Sequence, residues 1–278
     1  MPVLQAQVSY TQLAPTDSGF GPLDKTAPAI PAEQIVQKFA AKETMFRQAM
    51  GLYTYTQSVK VETINDDTGQ PDGVYQQVTD ISYDNHGAKL EHVTFAPQNT
   101  LERIMMTPAD MSDIEHRLPF VLTTEDLQLY NIQYVGRQKI DDVETYVFDV
   151  APKKIEKGQR YIQGRIWVDT KDLQIVVVDA KNVPDDLRPG HEDLSLPFIT
   201  YRQQVDGQYW FPVYSKSDGV LHFSAGKGYT SQDVHVRSVV KYTNYKKFGS
   251  SIKITFGGQD VKDESKPEQP APGGTPRH

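Results

Sequence analysis

Apolar and polar residues alternate with a period of two through most of this 278-residue chain, and this pattern most strongly limits how it can fold. Between Tyr53 and Glu62 the odd positions are mostly aromatic or β-branched and the even positions are polar. Because successive side chains of a strand point to opposite faces, each such segment predicts a strand with one buried face. After residue 131 the alternation returns and continues almost to the end, so the sequence predicts a mainly β (α+β) fold.

Short turn signals separate the predicted strands. Asp206-Gly207 lies between Phe198–Val205 and Gln208–Lys216, which is typical of a β-hairpin, and a second such dipeptide, Asp218-Gly219, follows. Hairpin connections favour an antiparallel sheet, here of about ten or eleven strands. A sheet of that size tends to curl, so we expect helices to cover its concave face.

The clearest helix is predicted over Pro31–Met50. Proline suits the first helical turn, and Ile35 and Phe39 belong to an apolar stripe at helical spacing. Two shorter helical segments are predicted to begin at Thr107 and Thr124, where capping residues precede apolar ones.

Composition predicts three regions along the chain. Residues 1–30 contain several prolines among small and polar residues and are expected to form an irregular lead. Residues 31–257 are expected to form a single domain. Residues 258–278 are rich in Gly, Pro and charge, and such a segment buries too little apolar surface to offset its ordering entropy, so a disordered tail is expected.

Charge and cysteine content exclude several classes of partner and site. The formal net charge of −7 opposes general attraction to nucleic acid or to anionic membrane surfaces. With no cysteine, the chain has no disulfide, thiolate metal site or cysteine nucleophile. The sequence contains no run of 18 apolar residues, so it predicts no membrane span. The first seven residues are compatible both with the trimmed end of a secretory signal and with an ordinary terminus.

No catalytic, cofactor or metal motif is present in the sequence. There is no nucleophile elbow, no glycine loop for phosphates and no His-Glu-x-x-His segment. Glu91 and His92 are adjacent in a predicted strand and point to opposite faces, and His191 follows a loop signal. We therefore expect a non-enzymatic protein with no cofactor and no metal.

A group of aromatic residues on predicted neighbouring strands allows two interpretations. One is an ordinary core with cross-strand pairing, and the other is a roomy apolar cavity under a curved sheet. The alternation pattern alone does not separate them. The residues are Trp167, Tyr209, Trp210, Phe211 and Tyr214.

Three segments, taken in order, resemble the LolA/LolB-like superfamily of outer-membrane lipoprotein carriers. Gly136–Pro152 is similar to a segment of that group with the pattern Gly, then Tyr, then Pro. Arg165–Val176, which contains Trp-Val-Asp, is similar to its next hairpin, and Asp206–Pro212, which contains Asp-Gly and Phe-Pro, is similar to a third. The resemblance covers roughly residues 31–256.

This resemblance implies a strongly curved antiparallel sheet, or incomplete β-barrel, with helices on its concave face. It also implies a periplasmic location and a cavity that accepts acyl chains of lipoproteins or other hydrophobic ligands. The same superfamily holds RseB-like periplasmic sensors, so a module that binds a membrane-associated protein partner is the alternative. Fold membership does not decide between them.

The inward faces of the predicted strands supply the candidate ligand-binding residues. They are the residues that the alternation places toward the covering helices. The candidates are Tyr53, Tyr55, Val59, Val61, Tyr146, Phe148 and Ile166.

Overall fold

The computed structural model describes residues 20–84, 86–116, 119–184, 196–223, 230–248, 255–256 and 259–260. Most of the predicted lead (1–19) and nearly all of the predicted tail (261–278) lie outside these residues, as does the loop that contains His191.

Two α-helices and one short 3-10 helix are present among the described residues. Helix α1 spans Ala32–Met50 and α2 spans Pro108–His116, and the 3-10 helix spans Asp126–Gln128. Thr107 caps α2 reciprocally: its backbone N–H donates to Asp110 Oδ2 at 2.8 Å, and the Asp110 N–H donates to Thr107 Oγ1 at 3.3 Å. The helix predicted to begin at Thr107 is therefore confirmed, whereas the helical segment predicted at Thr124 is only a 3-10 turn that has no side-chain cap.

Ten strands form one antiparallel sheet in the order β3-β2-β1-β10-β9-β8-β7-β6-β5-β4. The sheet is open, with β3 and β4 as its two edges. A separate pair of two-residue strands, β11 and β12, joins 255–256 to 259–260. The strands of the sheet are β1 Tyr53–Ile64, β2 Pro71–Tyr83, β3 Lys89–Phe95, β4 Tyr130–Ile140, β5 Val143–Pro152, β6 Tyr161–Asp169, β7 Ile175–Val183, β8 Phe198–Gln204, β9 Trp210–Phe223 and β10 Gln232–Lys247.

Only one of the two Asp-Gly dipeptides forms a turn. Gly207 turns the chain between β8 and β9 with a φ of 74°, and Asp206 Oδ1 accepts the N–H groups of Gln208 and Tyr209. The expected turn at Asp218-Gly219 is wrong, because both residues lie inside β9. Gly219 is suited to that position because a Cβ there would lie 3.1 Å from Leu196 Cδ2.

Helix α1 packs on one face of the sheet and contributes the centre of the main core. Ile35 and Phe39 are fully buried in the main core, and Phe46 is fully buried in a smaller cluster beside it. The Phe39 ring lies 5.6 Å from the Phe148 ring of β5, and the Phe46 ring meets the Phe211 ring of β9 edge-to-face at 5.2 Å. The predicted covering of one sheet face by the long helix is confirmed.

A second apolar cluster lies on the opposite face of the sheet. Trp167 is its buried centre, and Phe20 of the lead packs edge-to-face on it with ring centroids 5.4 Å apart. The lead also pairs with the sheet edge, since Asp24 and Arg137 exchange backbone hydrogen bonds of 2.9 and 2.7 Å. From Phe20 onward the lead is therefore irregular but docked.

Candidate functional site

A large cleft in the described part of the molecule lies between the C-terminal end of α1 and both edges of the sheet. Its volume is about 670 Å³, within the range of about 300–1,000 Å³ that is typical of small-molecule pockets. We call it the tyrosine cleft, since four of its lining residues are tyrosines. It is lined by Arg47, Met50, Tyr55, Tyr83, Lys89, Pro119, Phe120, Val121, Asp126, Leu129, Tyr130, Glu156, Gln159, Arg160, Tyr161 and Ile162.

One wall of the tyrosine cleft is a chain of aromatic rings. Tyr130, the first residue of β4, meets Phe120 edge-to-face at 6.1 Å and Tyr161 at 6.3 Å. The Tyr130 hydroxyl accepts the backbone N–H of Ile162 at 3.3 Å, which holds the ring between β4 and β6. All three residues are buried, so the wall is largely apolar and fixed in place.

The opposite wall comes from β1, β2 and β3. Tyr55 is 8% exposed and packs against Tyr245 with ring centroids 5.2 Å apart. Burial, together with Tyr83 and Tyr242, raises the pKa of the Tyr55 phenol well above its usual value. The Tyr55 phenol is therefore neutral at every physiological pH.

Three cations line the tyrosine cleft, and each has an acidic neighbour. Arg47 Nη2 lies 2.9 Å from Asp126 Oδ2, Lys89 Nζ lies 2.6 Å from Glu91 Oε1, and Arg160 Nη2 lies 3.3 Å from Asp113 Oδ2. The Arg47 and Lys89 pairs are partly exposed, so solvent screens them. An apolar interior edged by charged groups suits an amphiphilic ligand with its polar end at the solvent side.

A second cleft, of about 460 Å³, lies between the first half of α1 and the edge strand β4. We call it the β4 cleft. Tyr130 belongs to both clefts, so the two meet there. Its lining residues are Ala32, Glu33, Val36, Gln37, Leu127, Tyr130, Ile132, Gln133, Tyr134 and Phe148.

The seven candidate residues predicted from the alternation are all buried. Six of them belong to the main core cluster that faces α1, whereas Tyr53 packs in a smaller cluster with Phe46 and Phe211. Tyr55 lines the tyrosine cleft, Phe148 lines the β4 cleft and Val61 lines a small pocket of about 60 Å³ beneath α2. The remaining three, Val59, Tyr146 and Ile166, are packed within the core.

Sequence reasoning missed most of the tyrosine-cleft wall. Tyr130 and Tyr161 each begin a strand. Tyr130 is in phase with the inward residues Ile132 and Tyr134, so its sequence signal was available, whereas Tyr161 is out of phase with the inward residue Ile166 and alternation does not identify it. Arg47 was missed because it lies on the exposed side of α1, where a cation is ordinarily solvated.

A buried ion pair stands directly behind the cleft. Glu43 of α1 and Arg202 of β8 are both fully buried, and Arg202 Nη1 donates to both Glu43 carboxylate oxygens at 3.1 and 3.0 Å. Arg202 Nη2 also donates to the carbonyl oxygen of Phe120, which lines the cleft. The pair therefore connects α1, the sheet and the cleft wall.

The part of the chain that the structure describes holds no group of three His, Asp or Glu side chains placed to bind a metal ion. Among the described helices, none combines the length and apolar character that crossing a membrane requires.

Comparisons with known proteins give matches at the level of structure. No protein-family model matches the chain, and no curated protein matches it. A DUF1329 family protein from Desulfovibrio piger ATCC 29098 matches with a TM-score of 0.38 and 14% sequence identity, over 78% of this chain and 95% of that chain. The LolA superfamily protein NE2245 from Nitrosomonas europaea matches with a TM-score of 0.32 and 14% identity, over 80% of this chain and 96% of that chain.

The chain is similar in structure to a LolA superfamily protein. Similarity at these values assigns no family, ligand or activity to this chain.

Proposed function

We propose that this protein is a non-catalytic carrier that holds the apolar part of an amphiphilic ligand, such as an acyl chain, in the tyrosine cleft. The observation that carries the proposal is the cleft itself: about 670 Å³, walled by buried aromatic rings and edged by Arg47, Lys89 and Arg160. Apolar walls with a few polar groups at the mouth are the usual arrangement of ligand pockets.

The placement of the cleft supports a strongly curved sheet around α1. Lys89 lies on edge strand β3, and Tyr130 lies on edge strand β4, nine strand steps away in the order of the sheet. In a flat sheet those steps would span roughly 43 Å, at about 4.8 Å each. The contact of one cleft with both residues supports a bent sheet, which would leave a hollow for a ligand at its open side.

We also propose a periplasmic location, where a carrier of lipidated or otherwise hydrophobic molecules operates between membranes. This proposal rests on the sequence resemblance to lipoprotein carriers. Western blotting of periplasmic and cytoplasmic fractions, probed for the native protein, tests it.

Uptake of a fluorescent acyl probe tests the carrier proposal. Dansyl-undecanoic acid should bind the full chain with a blue-shifted emission. Leu129, which lines the cleft and is 42% exposed, is suited to blocking it, because Leu129→Trp adds bulk to the cleft without overpacking the core. We expect Leu129→Trp to keep its melting temperature and to lose at least about tenfold in affinity for the probe.

The matched control is Val220→Trp. Val220 is 58% exposed on β9, outside the cleft, so this variant adds the same side chain elsewhere on the sheet. The proposal fails if the wild-type chain does not bind the probe, or if both variants bind it as wild type does.

A sensor or interaction module is the second candidate function. The observation that favours it is the open edge of the sheet at β4, which offers backbone groups to another polypeptide. A carrier needs the tyrosine cleft, whereas an interaction module needs the β4 edge. Binding of the acyl probe tests the first surface, and binding of an extended peptide tests the second.

A further inference from the structure

Edge strand β4 has a backbone orientation that can be derived from its pairing with β5. The Lys153 N–H donates to the Leu129 carbonyl at 2.8 Å, immediately before β4 begins. In an antiparallel ladder, every second residue directs its backbone N–H and C=O groups to the partner strand. The backbone groups of residues 131 and 133 therefore point to β5, and those of residues 130, 132 and 134 point away from the sheet. Tyr130 stands opposite Pro152, which has no N–H, in agreement with this assignment.

The outward groups of Ile132 have no backbone partner among the described residues. Ile132 is only partly buried, and β4 is the last strand of the sheet on this side. A row of outward N–H and C=O groups on a sheet edge is a template for one more strand.

The protein already adds a strand-like segment to this same edge. After the bulge between Tyr134 and Gly136, the outward-facing residue is Arg137, and it exchanges two backbone hydrogen bonds with Asp24 in antiparallel orientation. The lead then enters α1 at Ala32, and among the described residues no backbone hydrogen bond joins residues 25–31 to β4. The lead thus pairs with the backbone of β4 at Arg137. The outward backbone groups of Ile132 are left to another segment.

The side chains next to this edge form a receptor for an apolar residue. Ile132 and Tyr134 line the β4 cleft, together with Val36 of α1 and Phe148 of β5. Among the lining residues Glu33 alone is ionisable at neutral pH, so the cleft favours a positively charged or neutral occupant.

We propose that the β4 edge around Ile132 binds an extended, basic segment of a partner polypeptide as an added antiparallel strand. Backbone hydrogen bonds to Ile132 supply the affinity. An apolar side chain of the segment enters the β4 cleft, and a Lys or Arg side chain faces Glu33. This proposal stands independently of ligand binding in the tyrosine cleft.

The probe is a fluorescein-labelled peptide of alternating residues, acetyl-Lys-Thr-Leu-Thr-Leu-Thr-Lys-amide, titrated into the full chain. We expect saturable binding by fluorescence polarisation, and we expect the amide hydrogen exchange of Ile132 to slow by at least about tenfold. The same peptide with Glu in place of both Lys residues should bind more weakly.

Ile132→Pro removes the outward N–H while leaving the bonds to β5 intact, because proline is tolerated where an edge-strand N–H faces solvent. It should weaken peptide binding by at least about tenfold.

The matched control is Glu91→Pro on the opposite edge. The Asp84 N–H bonds to the Ala88 carbonyl, so the same alternation places the Glu91 N–H outward on β3. Glu91→Pro should bind the peptide as wild type does.

Val36→Trp fills the β4 cleft without altering the strand edge, and it should weaken binding even if Ile132→Pro folds poorly. The proposal is overturned by no binding to the full chain, by equal weakening in Glu91→Pro, or by displacement of the peptide by dansyl-undecanoic acid with no protection of Ile132. Concentration-dependent self-association that Ile132→Pro abolishes would assign the edge to a second copy of the chain and would also overturn it.

Discussion

Arg202 and Glu43 form an ion pair in which both side chains are fully removed from solvent. Burial raises the pKa of the Glu43 carboxyl, while Arg202 and the Ile175 N–H, which donates to Glu43 Oε1 at 3.1 Å, oppose that rise. The Arg202 guanidinium also lies over the Phe46 ring, 5.2 Å from its centroid. Helix α1 is therefore held to β8 by polar contacts inside an otherwise apolar core.

Breaking this pair should be costly because it leaves an uncompensated buried charge. We expect Arg202→Met to lower the free energy of unfolding by about 3–5 kcal/mol. The double variant Glu43→Gln with Arg202→Met should recover part of that loss. Urea unfolding of wild type, both single variants and the double variant measures the coupling, and strictly additive losses would show that the two residues act separately.

Ile166, one of the candidate ligand-binding residues, tests how tightly the main core is packed. It is 1% exposed in the main core cluster, so a larger side chain has no space to enter. We expect Ile166→Trp to lower the free energy of unfolding by about 1–3 kcal/mol, unlike Leu129→Trp at the cleft. Chemical denaturation compares the two variants, and an unchanged stability of Ile166→Trp would reveal an unfilled cavity at that position.

Docking of the lead should contribute measurable stability. Phe20 packs on Trp167 and also lies edge-to-face with Tyr201, with ring centroids 6.4 Å apart. Removing a fully buried Phe side chain costs about 3–5 kcal/mol, and Phe20 is only partly buried, so we expect roughly 1–2 kcal/mol for Phe20→Ala. Thermal unfolding followed by tryptophan fluorescence measures it. Loss of stability comparable to that of Leu52→Ala, an exposed residue, would indicate that the lead is not anchored by this ring.

Asp179 on β7 predicts a specific pH dependence. Burial raises the pKa of its carboxyl to about 6, and Arg165 partly opposes the rise. The folded-state pKa lies above the unfolded value of about 3.9. The stability that this carboxyl contributes is therefore fully present below about pH 4 and is lost as the pH rises through about 6. Asp179→Asn should therefore be more stable than wild type at pH 7.5 and equal to it at pH 4.

Urea unfolding at a series of pH values between 4 and 7.5 checks this expectation. Asp149→Asn is the control, because Asp149 accepts a hydrogen bond of 2.7 Å from Arg165 on the same face of the sheet. That variant should be destabilised at pH 7.5. A stability difference for Asp179→Asn that does not change with pH would contradict the prediction.

The sequence by itself determined the type and order of the elements. Period-two alternation identifies strands because side chains of a strand alternate between faces, and the stripe through Ile35 and Phe39 identifies α1 by the same local geometry. The Asp206-Gly207 turn could also be read locally, since it needs only a residue that tolerates a positive φ.

Only the tertiary structure decided how each face is used. Trp167 and Phe211 were grouped as aromatic neighbours, yet Trp167 belongs to the cluster under the lead and Phe211 to a cluster that includes Phe46 of α1. Alternation assigns a residue to a face, but it carries no information about what covers that face. For the same reason Tyr55 lines the cleft, Ile166 fills the core, and Glu43 meets Arg202 across 159 positions of the chain.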